Sequence, residues 1–296
     1  MENTQQQNKF SHWLKTSITA RMIMIATLIL ILLIPLAFVK DLIREREYRQ
    51  TDVVNEINEK WGEEVTLYGP ILKVPYKTYK EKSVFNPKTK QYIVEKESFI
   101  NYAYFFPKEL DFKANAKSKT KKRNNFESVV YESDIEITGS FSRPNFSSKE
   151  IKQEDVNWSK STVLFKTSNL KGIKSQVNIL LGKNNYDFET NYHSDKQDKN
   201  GLDELESSYI KAENIDFTTT QNFSMNLSYN GSKSMKFIPI GKTTTAKMTS
   251  NWINPSFTGN FLPQDEGEKV SKDGFNANWK VLDINRPFSQ QFFIQS

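Results

Sequence analysis

The stretch Phe223–Gly231, FSMNLSYNG, sets an apolar side chain at every second position: Phe223, Met225, Leu227 and Tyr229. Successive side chains of an extended chain point to opposite faces, so this spacing describes a strand with one buried and one wet face. Asn230-Gly231 then follows, the dipeptide that two-residue hairpins favour because their central residues take positive φ. The expectation is a strand that reverses at Asn230-Gly231. The same grammar recurs in both directions. Ile135, Ile137, Gly139 and Phe141 alternate, ILKVPY follows Pro70, and Tyr92–Phe106 is a long aromatic and β-branched run closed by Pro107. MKFIPI (Met235–Ile240) and TTTAKMTSNW (Thr243–Trp252) are further strand candidates. Strands of this kind separated by turn signals predict an all-β fold, a large antiparallel β-sandwich-like domain over residues 63–296. Two polar stretches interrupt the pattern and read as loops: Asn115–Asn125 (NAKSKTKKRNN) and Tyr192–Gly201 (YHSDKQDKNG).

Upstream the texture is different. Met22–Val39, MIMIATLILILLIPLAFV, is uncharged and bracketed by Arg21 and Lys40. At about 1.5 Å per residue it spans about 27 Å, close to the thickness of a bilayer's hydrocarbon core. It exceeds the apolar run of a signal peptide and no A-x-A-like cleavage site follows. The segment predicts a transmembrane helix over 22–39 that contacts the lipid bilayer, with residues 1–21 as a tail. Residues 40–62 read as a charged helical stalk. Val53, Val54, Ile57 and Trp61 form one apolar stripe, and Gly62 supplies a stop. Lys and Arg flank both ends of the span, so the positive-inside rule does not orient it.

Composition limits the chemistry. The formal charge is +6, but the first 40 residues carry Lys9, Lys15, Arg21 and Lys40 against Glu2, which leaves 37 basic and 34 acidic residues in the remainder. That balance is no nucleic-acid footprint. Cysteine is absent, and the only histidines, His12 and His193, lie far apart. Thiol chemistry, a histidine base and a thiolate metal site are thereby removed. No glycine-rich phosphate loop occurs. The acids are scattered with no pair standing out; Asp134 and Glu136 share one strand face, as many surface pairs do. No catalytic, cofactor or metal residue is expected, and the chain reads as an interaction protein instead of an enzyme. A sandwich that binds or cleaves envelope glycans, through two carboxylates across a scissile bond, is the alternative. A lipid-binding cavity is a third.

Two clusters merit attention as contact surfaces. Lys117, Lys119, Lys121, Lys122 and Arg123 could meet anionic headgroups or an acidic glycan, or form a solvated hairpin tip. Trp252, Phe257 and Phe261 could line an interaction groove, or form a core corner around Pro255 and Gly259. The core reading is preferred, with Trp252→Ala expected to cost about 3–5 kcal/mol.

SNWINPSFTGNFLP (Ser250–Pro263), GFNANW (Gly274–Trp279) and NRPFSQQF (Asn285–Phe292) resemble segments of the CreD inner-membrane, envelope-integrity family. WGEEVTLYGPILKVPY (Trp61–Tyr76), ESFINYAYFFPKEL (Glu97–Leu110), SVVYESDIEITGSF (Ser128–Phe141) and SNLKGI (Ser168–Ile173) follow that family's order of blocks. KKRNNF (Lys121–Phe126) departs from it where a basic-glycine-apolar turn would stand. The resemblance implies a bacterial inner-membrane protein with a cytoplasmic N-terminus, a periplasmic β-rich domain and a link to envelope stress and to tolerance of colicins and antibiotics. Another envelope protein is an expected partner. Typical members continue into several C-terminal transmembrane helices. Nothing after Val39 has that length of apolar sequence, so the chain reads as either a truncated version of the family pattern or an incomplete product.

Overall fold

In a computed structural model the described residues are 17–87, 90–190, 201–211, 213, 215–264 and 270–294. Most of the expected N-terminal tail, both histidines and the body of the 192–201 connector lie outside them. Met1–Glu56 and Ile57–Ser296 form two compact units.

One helix, α1 (Ile18–Trp61), covers both the expected span and the expected stalk without a break, passing through Pro35. None of its most apolar 18-residue window is buried, and that window has a mean hydropathy of 3.0. By length and composition this helix can cross a membrane. At about 1.5 Å per residue, α1 measures about 66 Å, roughly twice a bilayer's hydrocarbon core.

The second unit begins with the last turn of α1 and is otherwise β-structure. Its strands are β1 (Val65–Asn86), β2 (Gln91–Phe105), β3 (Glu109–Arg123), β4 (Phe126–Phe141), β5 (Thr162–Thr167), β6 (Asn178–Leu181) and β7 (Asn184–Thr190). They continue as β8 (Asp203–Ser207), β9 (Gln221–Ser232), β10 (Met235–Phe237), β11 (Thr243–Ser250), β12 (Val270–Ser271), β13 (Gly274–Leu282) and β14 (Gln291–Ile294). All fourteen join one hydrogen-bonded ladder in the order β12-β13-β11-β3-β4-β9-β6-β7-β8-β5-β1-β2-β14, with β10 beside β1. The pairings are antiparallel except β3–β11 and β1–β10. Strand β7 hands the ladder over: Asn184–Asp187 pair with β6, and Phe188–Thr190 pair with β8. The two halves thus close on one core, where Leu67, Leu72 and Val74 of β1 join Phe112 of β3, Ile137 of β4 and Leu227 of β9. Phe112 meets Phe237 at 4.9 Å between ring centroids. The alternation read at Phe223–Tyr229 and Ile135–Phe141 is the inward face of β9 and β4.

Two sequence expectations fail for the same reason. Asn230-Gly231 is not a turn: both residues lie inside β9, opposite Glu132 and Tyr131 of β4. The chain turns after Ser232, at Lys233 with φ 60°, and β10 crosses to pair with β1. Glycine is required at 231 for a different purpose, because an added Cβ would lie 2.4 Å from the Tyr131 ring. An aromatic side chain thus covers the gap that a strand glycine leaves. Asn115–Asn125 is not a loop either. Residues 115–123 extend β3 in register with β4, the reversal being left to Asn124 at φ 53°. Ala114 and Ala116 face the core while Lys113, Asn115 and Lys117 face out, so the partner strand overrides weak local propensity.

Gly231→Ala should lower stability by about 1–3 kcal/mol, the usual cost of overpacking. In a Tyr131→Ala background the same change should cost clearly less by urea denaturation. Strictly additive losses would show that the ring and the glycine are not coupled.

Candidate interaction sites

Trp252, Phe257 and Phe261 lie in the segment that follows β11. Trp252 is 37% exposed and stands outside the core, which corrects the expected core corner. Its indole N–H donates to the Asn254 carbonyl at 2.7 Å, so the ring is held by its own loop and not by the sandwich. Phe257 packs edge-on against Phe275 (5.6 Å) and Trp279 (5.7 Å) of β13, whereas Phe261 is half-buried. The segment hangs on Asn251, whose side-chain oxygen accepts the backbone N–H of Ser118 at 2.7 Å.

The basic cluster lies along the far end of β3. Lys119 reaches Glu132 at 3.0 Å, Lys122 pairs with Glu127, and the Lys121 ammonium sits 4.2 Å from the Trp61 ring centroid. Most of that charge is thus engaged by neighbours, which weakens the case for an anionic-surface contact. The Lys119 hydrogen bond, ahead of opposing desolvation, holds the Glu132 carboxyl below its ordinary range. Stabilisation from a lowered carboxyl is present above its unfolded value of about 4.3 and is lost as pH falls through the lowered value.

The most exposed apolar surface among the described residues of the β-domain was not legible as a site. β1 and β2 pair from Leu72–Phe105 to Asn86–Gln91. Their other neighbours stop early, β5 at Lys73 and β14 at Tyr102, with one bridge from Tyr76 to Val156. Beyond Tyr76 and Asn101 the two strands run on as a free ribbon of ten residue pairs, about 30 Å long. One face carries Tyr79, Phe85, Tyr92, Val94 and Ile100, all exposed, with Phe85 and Tyr92 in edge contact at 5.4 Å, and it also carries Lys77 and the facing pair Glu81 and Lys96. The other face carries Lys80 opposite Glu97 and Lys82 opposite Glu95, beside Val84, Ile93 and Phe99. The sequence signal was length: strands of 22 and 15 residues exceed what a sandwich of ordinary depth can bury.

At the ribbon's root a groove of about 650 Å³ opens between β1, β2, β7 and β8, lined by Lys73, Tyr102, Thr162, Glu189, Glu206 and Tyr209 among others. Lys73 binds Glu206 at 2.8 Å and lies 4.8 Å from the Tyr102 ring centroid. The Thr162 hydroxyl donates to Glu206 at 2.6 Å. Glu189 and Glu206 stand directly opposite each other across β7–β8. Burial, with Glu204 and Glu206 nearby, pushes the adjoining Tyr104 hydroxyl up to about 12, so it stays a neutral donor. A second depression of about 750 Å³ on β3, β4, β9 and β11 carries the charged side chains Lys113, Asp134, Glu136 and Lys247. Asp134, which accepts from Ser228 at 2.7 Å, and Glu136, bound to Lys113 at 3.2 Å, are engaged there by neighbours. Among the described residues no group of three or more His, Cys, Asp or Glu side chains is arranged to hold a metal ion.

Trp252→Ala should cost about 1–2 kcal/mol in urea denaturation, since the ring lies outside the core cluster and is covered only in part. A loss of 3 kcal/mol or more would restore the core reading. In Lys119→Met, the Glu132 titration followed by NMR should move up toward the ordinary carboxylate range; an unmoved midpoint would mean that the contact is not formed.

Comparison with known proteins gives a consistent result. The family model described as "Inner membrane protein CreD" matches residues 17–296. The inner membrane protein CreD of Escherichia coli (strain K12) is 24% identical over 268 residues, covering 90% of this chain and 56% of the relative. The chain therefore spans a little over half the length of that relative. No solved structure matches. With an apolar helix exposed along its length, a β-domain behind it and a family match over nearly all its residues, the chain belongs to the CreD family of inner membrane proteins.

Proposed function

We propose that this membrane-anchored envelope protein supports envelope integrity under stress by binding another envelope protein, without catalysing a reaction. On this reading the N-terminus is cytoplasmic and residues 63–296 are periplasmic. The observation that carries it is the free β1–β2 ribbon. An isolated two-stranded ribbon is marginal in water, and a contiguous exposed apolar face marks an interaction surface. Here Phe85, Tyr92 and Val94 present exposed apolar side chains at the distal end of one side, with Tyr79 and Ile100 nearer the root beyond the facing pair Glu81 and Lys96. The Lys and Glu side chains spread along both strands discourage indiscriminate edge pairing while leaving the aromatic end available. The partner that suits this surface is a protein with an apolar groove or sheet face about 30 Å long. The non-catalytic part is supported by the engagement of Glu206, which accepts from the Lys73 ammonium at 2.8 Å and the Thr162 hydroxyl at 2.6 Å.

Alkaline phosphatase fused after Ser296 should be active; activity of a cytoplasm-restricted reporter at that position would reverse the orientation. A photo-cross-linking residue at Tyr92, in the full chain in native membranes, should give one discrete protein adduct. The same probe at Lys247 on the polar face should not. Equal labelling at both, or none at Tyr92, would contradict the ribbon as the contact. Phe85→Lys with Tyr92→Lys should leave accumulation normal and abolish rescue of a strain that depends on the protein for growth in detergent.

A further inference from the structure

We propose that the groove at the ribbon's root binds an uncharged oligosaccharide, its pyranose faces on Tyr102 and Tyr209 and its hydroxyls on Glu189 and the flanking ammonium groups. The groove adjoins the protein contact proposed for the ribbon face and shares Ile100 with it, whereas Phe85 and Tyr92 lie outside its lining.

Tyr209 is 61% exposed, yet its backbone is fixed on both sides. The Ser208 N–H donates to the Asp187 carbonyl at 2.9 Å, the Ile210 N–H donates to the Ser161 carbonyl at 2.8 Å, and Ile210 is fully buried. A large ring on a rigid base is presented to solvent. Tyr102 is pinned by Lys73 and remains 40% exposed. Such rings offer flat apolar area at low entropic cost, with a hydroxyl that needs a polar neighbour. Between them stand Glu189 and Glu206, directly opposite on neighbouring strands, a placement of like charges that costs stability. Lys73 compensates Glu206, and Glu189 remains exposed toward the groove. Lys77, Lys160 and Asn157 complete the rim, so acceptors and donors both surround the rings. A ligand of either net charge would meet its own sign. A neutral, hydroxyl-rich ring satisfies carboxylate, ammonium and aromatic face together. The volume of about 650 Å³ lies within the range of small-ligand clefts. The groove is open and polar at its rim, which disfavours an acyl chain. The role proposed for the site is to hold sugar without cleaving it.

The test uses the full chain in nanodiscs, titrated with β-1,4-linked tetramers of glucose and of N-acetylglucosamine by calorimetry. At least one tetramer should bind saturably. Tyr209→Ala should weaken binding by about tenfold or more, with the urea midpoint unchanged, while Tyr209→Phe should retain most of it. Phe85→Lys should bind as wild type, which separates this site from the ribbon contact. Absence of saturable binding for both tetramers, or full affinity in Tyr209→Ala, would overturn the assignment. Shortening of the sugar by wild type and not by Glu189→Gln would overturn the binding-only role.

Discussion

Three chain segments meet at the Asn230 carbonyl, and the rest of the domain is laid out from that meeting. A Cβ on Gly62, at the end of α1, would lie 2.4 Å from this oxygen, and one on Gly172 would lie 2.2 Å away. The Asn169 amide donates to it at 3.3 Å, and the Gly172 N–H takes the Asn169 side-chain oxygen at 2.8 Å. Helix end, loop and strand can approach this closely only where no side chain intervenes, and Gly62 also has φ 141°. The same few residues start β1: Ser232 donates to the Glu63 carbonyl and Val65 to the Ser234 carbonyl, both at 3.0 Å. Trp61 and Asn58 are fastened alongside, through the Tyr131 carbonyl at 3.2 Å and the Ser128 hydroxyl at 2.7 Å. Three of the sequence blocks that carry the family resemblance, at 61–76, 128–141 and 168–173, converge here. Their shared content is a packing constraint.

From that anchor β1 crosses the sandwich and leaves it. Its first half supplies Val65, Leu67, Leu72 and Val74 to the core, and its second half has no core to join. The body and the projection therefore answer to different physics. The body is fixed by burial and by glycine close approaches. The ribbon keeps its strand pairing while exposing aromatic and aliphatic side chains that folding alone gives no reason to retain. The groove lies at the junction, where Lys73 is still half-buried in the sheet and Tyr102 is already exposed.

Much of this was readable in the chain. Alternation at Phe223–Tyr229 and Ile135–Phe141 placed the inward faces of β9 and β4 because period two is a local property of extended backbone. The lipid segment was legible because Met22–Val39 has no polar side to offer water. Asn230-Gly231 misled because glycine in a strand and glycine in a turn look alike in one dimension; Tyr131, a hundred residues away in sequence, decides between them. Lys117–Arg123 misled because a polar strand is stabilised by its cross-strand glutamates, which lie beyond the next turn. Trp252 was given a core role on residue type, whereas its indole is satisfied within its own loop. The groove was illegible because Tyr102, Glu189, Glu206 and Tyr209 come together only through the β7–β8–β5–β1–β2 neighbourhood.

The separation of body from ribbon can be measured directly by replacing residues 77–100 with Asn-Gly. Tyr76 and Asn101 already face each other in register, so a two-residue turn can close them. The shortened chain should accumulate in the membrane with the urea midpoint of the parent and fail to restore growth under envelope stress. Full restoration would contradict the ribbon as the working surface, and collapse of the fold would contradict its independence from the core.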